Sequence, residues 1–193
     1  SDAMAGVINI IRRKTVESSY LSGDIEAGSF DTINFGVDAG YSGDRFQLSG
    51  GLSYFDTDGT NISRTGNEKD GADNTSGNIA LEFDAGDAFK LRFSGQLIDA
   101  SNEWDDIDYV VTGLPMDADR VSESQQTFLS GQLQYEPQQS PWSGSLSINR
   151  MDSDNDNFSD GLWSGSTAAE TLEYRLRGGR TFGRDGAQNH RIS

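Results

Sequence analysis

Apolar and polar positions alternate with period two along most of this chain. "INFGVDAGY" sets Ile33, Phe35, Val37, Ala39 and Tyr41 on one side, with Asn34, Gly36, Asp38 and Gly40 on the other. "RFQLSGGLSY" does the same with Phe46, Leu48, Leu52 and Tyr54 against Arg45, Gln47, Ser49 and Ser53. "NIALEFDA", "AFKLRFSGQL", "QTFLSGQLQY", "WSGSLSIN" and "TLEYRLRGG" continue the pattern. Strands send successive side chains to opposite faces, whereas a helix brings its apolar residues back every third or fourth position. No window fits the helical template better, so the pattern predicts an all-β chain.

The connections predict how the strands are joined. Short turns are expected at 42–44, 85–87, 136–141 and 183–189, and long polar loops at roughly 56–75, 99–124 and 152–170. An antiparallel meander with short connections at one end and long ones at the other is how a transmembrane β-barrel is organised. Strands of about ten residues with one apolar face match its hydrocarbon band. Tyr41, Tyr54, Tyr135 and Trp142, near strand ends, fit an interfacial girdle. A soluble antiparallel sandwich also alternates, but it seldom sorts its loop lengths by end.

Composition narrows the chemistry. The 193 residues carry a net charge of −16, one histidine (His190) and no cysteine. Without cysteine there is neither a disulfide framework nor a thiolate metal site. The acidic balance argues against a nucleic-acid partner, which needs clustered Lys and Arg. With a single histidine most nucleophilic and zinc chemistries lack their parts, so an enzyme is not expected. Aromatic residues make up 10% of the chain, which argues for folding despite the low hydrophobic content of 34%.

The start of the chain is different in kind. "SDAMAGVINIIRRKT" runs from an apolar core (Val7, Ile8, Ile10, Ile11) into Arg12, Arg13 and Lys14. A signal peptide has the opposite order, charges first, and the apolar run is too short to span a bilayer as a helix. It reads as one short strand in a chain expected to begin inside something larger. Gly6, Val7, Ile8, Asn9, Ile10 and Ile11 resemble the run that closes the plug domain of TonB-dependent outer-membrane receptors. On that resemblance, 1–15 is the last plug strand with its linker, and 16–193 is the N-terminal part of the receptor β-barrel. The barrel part would hold about eight strands of a larger barrel plus the start of a ninth at His190–Ser193.

The resemblance implies an outer-membrane protein for energy-coupled uptake of a scarce nutrient, of cobalamin or iron–siderophore type. The short first hairpin (28–32) and an Asp-rich first long loop look most similar to the cobalamin receptor branch. The implied partners are outer-membrane lipid, a small nutrient complex as ligand and, for the intact protein only, TonB. No segment here corresponds to the one that engages TonB. Compared with a complete receptor the chain looks like a fragment, from a partial gene or a deliberately shortened chain. Its open strand edges then invite self-association.

The acidic stretches are the only chemical constellation. They hold 18 of the 31 acidic residues. Asp70 and Asp73 lie in the first, Asp105, Asp106 and Asp108 in the second, and Asp152, Asp154 and Asp156 in the third. Oxygen-rich clusters of this kind suit calcium, which takes six to eight oxygen ligands. The spacing at 152–156 begins like a calcium loop, but Asn157 and Trp163 stand where such a loop carries Gly and Glu. In the cobalamin branch, the resemblance implies calcium bound by Asp residues of the first two loops. The plain alternative is a solvated anionic surface.

Smaller features take simpler readings. Lys90, Arg92, Arg175 and Arg177 are expected to pair with Glu82, Asp84 and Glu173 across strands. Trp104 and Trp163 are expected to pack loop tips. The competing function is a soluble or surface-exposed calcium-binding β-rich adhesion module, whose apolar face would meet a second sheet rather than lipid. An outer-membrane phospholipase ranks below both, because His190 has no paired Ser motif.

Overall fold

The structure is a computed structural model. It describes residues 19–182, apart from 62, 64, 65 and 67, together with 190–192. The plug-like run at 1–15 and the turn expected at 183–189 lie outside the described residues. Nine strands follow in order: β1 (Tyr20–Ala27), β2 (Ile33–Ser42), β3 (Phe46–Thr60), β4 (Asp70–Asp84), β5 (Phe89–Ile107), β6 (Pro115–Tyr135), β7 (Trp142–Ser159), β8 (Leu162–Phe182) and β9 (His190–Ile192). They form one antiparallel sheet in sequence order, each strand paired to the next. Among the described residues no pairing joins β1 to β9, so the sheet is open, as expected for part of a larger barrel. The all-β meander read from the alternation is what the chain adopts.

One expectation is corrected. The stretches read as long polar loops are mostly strand. β3 runs on to Thr60, β5 to Ile107 and β7 to Ser159, each paired with its return strand. The connections left at that end are 28–32, 61–69, 108–114 and 160–161. The asymmetry between the two ends is therefore one of strand length more than loop length. Alternation fades there because both faces carry mainly polar side chains, and the cross-strand hydrogen bonds hold the hairpins instead.

The last of these turns shows the local chemistry. Asp160 and Gly161 both take positive φ, 53° and 71°. That is the requirement of a two-residue type I′ hairpin, and Asp-Gly is among its preferred pairs.

The sheet has a single layer. Among the described residues no hydrophobic side chain is fully buried. A sheet with one apolar face must cover it with something, and among the described residues no second layer does so.

Candidate functional site

Register decides what the apolar face is. Paired residues share a face, so the pairings can be followed across the sheet as rows. The row from Tyr41 passes through Leu48, Leu81, Phe93 and Gly131 to Ile148 and Tyr174. The neighbouring row joins Phe46, Phe83, Leu91, Leu133, Leu146 and Leu176. The alternating apolar positions of successive strands therefore fall in one phase and merge into one continuous belt.

The belt runs obliquely across the rows. At the short-turn end each strand from β2 to β7 carries an aromatic on this face: Tyr41, Phe46, Phe83, Phe89, Tyr135 and Trp142. Tyr41's row meets β7 at Ile148, yet β7's rim aromatic is Trp142, six residues further along. A slide of about 20 Å along the strands over about 24 Å across them tilts the rim by about 40° from the rows. Strands of membrane barrels tilt by about 35–45°. Phe46 to Tyr54 and Phe89 to Leu97, about nine residues each, are the length such a tilted strand needs to cross the hydrocarbon.

The aromatic rim is closely made. The rings of Tyr41 and Phe46 lie 6.0 Å apart and those of Phe89 and Tyr135 5.0 Å apart. Arg180 sits over the Trp142 ring at 4.9 Å, a cation–π pairing suited to a surface where apolar and polar media meet. At the other border Arg150 binds Asp152 through two hydrogen bonds of 2.8 and 2.9 Å and approaches Glu170 at 3.5 Å.

The opposite face is polar and internally paired. Glu82 accepts from Lys90 and from Arg92 at 2.7 Å each, and Arg92 donates onward to Gln132 and Gln134. Lys90 also meets Asp84 at 3.2 Å. The cross-strand pairs expected for Lys90 and Arg92 are present. Arg175 instead pairs with Glu173 on its own strand, because both side chains project to the same face two residues apart. Gln47, Glu82, Arg92, Gln132, Ser147 and Arg175 line an open trough on this face.

The expected calcium ligands divide into three sets. Asp70 and Asp105 come close enough to repel, together with Glu103 and Asp117, and burial with this repulsion raises the Asp70 carboxyl above its ordinary range. Glu68 is raised by burial and by Asp119 and Asp117, and Asp73 by burial and by Asp56 and Asp99. Asp106 and Asp108 are already engaged. Asp106 accepts from the Ile107 amide and from Arg120, and Asp108 from the amides of Val110 and Val111 and from the Thr112 hydroxyl. Asp152, Asp154 and Asp156 line one face of β7 in successive rows rather than forming a loop, with Asp152 held by Arg150 and Asp156 accepting from the Trp163 indole. Among the described residues no group of three or more acidic or histidine side chains is arranged to hold a metal ion.

Some features escaped the sequence. Phe46, Phe83 and Phe89 belong to the rim as much as the tyrosines do; their signal is an aromatic flanking each short turn. Asp117 and Asp119 join the Asp70 group only through the fold. Trp104 and Trp163 lie in β5 and β8 rather than at loop tips and stay 47% and 63% exposed, so neither packs a loop interior.

A scan against protein-family models gives no match for this chain, and a search of curated proteins gives none either. Fold and surface define the chain by its architecture: an open antiparallel meander with an oblique apolar belt on one face and a paired polar network on the other.

Proposed function

We propose that this chain is the N-terminal barrel part of a TonB-dependent outer-membrane receptor, which in its intact form imports a scarce nutrient complex of cobalamin or iron–siderophore type. The observation that carries the membrane reading is the aromatic-rimmed belt, oblique by about 40°, on a sheet that no other described residue covers. A soluble sandwich would need a second sheet packed over this face at about 30° or 90°, and the described residues supply none. The receptor assignment within that class rests on the resemblance of Gly6–Ile11. In this reading lipid covers the belt, and the polar face with its Glu82–Arg92 network turns to the barrel interior. The further strands of the intact barrel complete the open edges, which otherwise pair with a second copy.

Two experiments test the two levels. The chain, directed to the periplasm of a Gram-negative host, should fractionate with the outer membrane and resist alkaline extraction; recovery in the soluble fraction without detergent would favour the adhesion-module reading. The intact protein, supplied to a receptor-deficient strain, should restore growth on limiting cobalamin or ferric siderophore only when TonB is present. Growth independent of TonB would remove the receptor assignment and leave the membrane reading standing.

A further inference from the structure

The β5–β6 hairpin outruns the β7–β8 hairpin beside it. The last β6 residue paired to β7 is Arg120, opposite Ser159, and beyond it β5 and β6 continue through Asp106–Met116 and Ile107–Pro115. At the tip Tyr109, Val110 and Val111 are 81%, 93% and 81% exposed. Turn tips ordinarily carry Gly, Asn, Asp or Ser, so three successive apolar side chains in water are an unfavourable choice for the free protein.

These side chains are held outward by the turn itself. The Asp108 carboxylate accepts from the Val110 and Val111 amides at 3.1 and 3.0 Å and from Thr112 Oγ1 at 3.0 Å. The Gly113 amide donates to the Asp108 carbonyl at 2.7 Å, and Asp108 N donates to Leu114 O at 3.0 Å. Gly113 supplies the positive φ of 68° that closes the turn. The tip is therefore organised before any partner arrives, which lowers the ordering cost of binding.

The stalk below it is anionic. Asp105, Asp106, Asp117 and Asp119 lie along it. Asp119 is exposed, and Asp105 and Asp117 are half-buried with one carboxylate oxygen each turned inward. Arg120, the single cation between residues 99 and 123, is bound to Asp106 at 2.7 Å, so the stalk keeps a net negative charge. An apolar centre inside a charged rim is the anatomy of a protein-binding hot spot. The rim's sign selects a partner of opposite charge and opposes an anionic lipid surface.

We propose that the 108–114 tip docks a cationic polypeptide offering an apolar groove bordered by lysine or arginine. The site is exposed whatever medium covers the belt, so it stands apart from the receptor assignment.

The probe is a synthetic peptide alternating lysine with leucine, against length-matched lysine–serine and glutamate–leucine peptides. Binding to the full chain in zwitterionic nanodiscs is measured by fluorescence anisotropy at about 0.1 M salt, with empty nanodiscs as reference. The lysine–leucine peptide should bind saturably and the other two should not. Tyr109→Ser/Val110→Ser/Val111→Ser, which leaves every charge and the Asp108 turn in place, should weaken binding about tenfold or more. Asp105→Asn/Asp117→Asn/Asp119→Asn should weaken it similarly. Asp152→Asn/Asp154→Asn/Asp156→Asn removes equal charge elsewhere and should change it less than about twofold. Equal loss in that last variant, unchanged binding in the tip variant, or partition of the tip into anionic vesicles in place of the peptide would overturn the proposal.

Discussion

Phe35 on β2 and Asp154 on β7 stand in the same cross-strand row, on the same face of the sheet. The row runs Phe35, Tyr54, Thr75, Asp99, Gln125, Asp154. One straight line of hydrogen-bonded neighbours therefore passes from apolar to acidic across six strands. A protein layer whose edge follows the rows would not select that change; a flat boundary between two media, cutting across tilted strands, would.

The three tryptophans should report that boundary separately. Trp142 lies on the aromatic rim, while Trp104 and Trp163 belong to the extensions beyond the belt's other border. In single-tryptophan variants, lipids brominated near the headgroup should quench Trp142 strongly and Trp104 and Trp163 little. Equal quenching of all three would mean that the extensions also contact lipid.

Glu82 is the hub of the polar face, accepting from both Lys90 and Arg92. These side chains remain about a third exposed, so solvent screens the pairs and their worth is held near the modest values of surface ion pairs. Glu82→Ala should cost about 1 kcal/mol in urea unfolding from detergent, and a cycle with Arg92→Ala should show coupling of a few tenths. Full additivity would mean that the network contributes nothing beyond its separate members.

The long-strand end should respond to acid in a defined direction. Burial and neighbouring carboxylates raise Glu68, Asp70 and Asp73. A carboxyl raised in the folded state favours folding below its unfolded pKa, and that contribution is lost as pH rises through the folded value. Asp106 is lowered chiefly by the Ile107 amide and then by Arg120, and Asp108 chiefly by the Val111 amide. Their contribution is present above the unfolded pKa and is lost only as pH falls through the lower folded value. As pH falls from neutrality the first set therefore neutralises before the second. Exchange protection of the Ala72 and Asp73 amides should rise over the acidification in which only the first set protonates; a fall there would contradict this.

The β7–β8 turn gives a backbone test. Gly161→Val forces a β-branched residue to positive φ and should cost about 1–2 kcal/mol, whereas Asp160→Asn keeps a residue that tolerates this region and should cost little. Comparable losses in both, measured by urea unfolding, would mean that the side chains rather than the backbone matter there.

The alternation at Phe46–Tyr54 or Phe89–Leu97 was legible in the sequence because period two is a local property. The slant of the belt was not, since it exists only once Tyr41 is known to align with Ile148, and register between strands this far apart in sequence is non-local. The polar extensions were misread for a physical reason. "EWDDI", "SESQQ" and "DSDNDN" carry mainly polar side chains on both faces, so no alternation marks them as strand, and cross-strand pairing shapes them. The acidic group was half legible. Asp70 and Asp105 were candidates from composition, while Asp117 and Asp119 joined them only through the fold.

Depth-dependent spin labelling of the Phe35–Asp154 row tests most directly whether one apolar medium meets this face along an oblique line. The chain has no cysteine, so single cysteines at Phe35, Tyr54, Thr75, Asp99, Gln125 and Asp154 each report one site in lipid bilayers. Labels at Phe35 and Tyr54 should be accessible to oxygen and shielded from a polar nickel reagent. The preference should reverse by Asp99 and remain reversed at Gln125 and Asp154, while Leu91, Leu133 and Leu146 report lipid throughout. A row that is uniformly wet, or uniformly buried, would contradict the account.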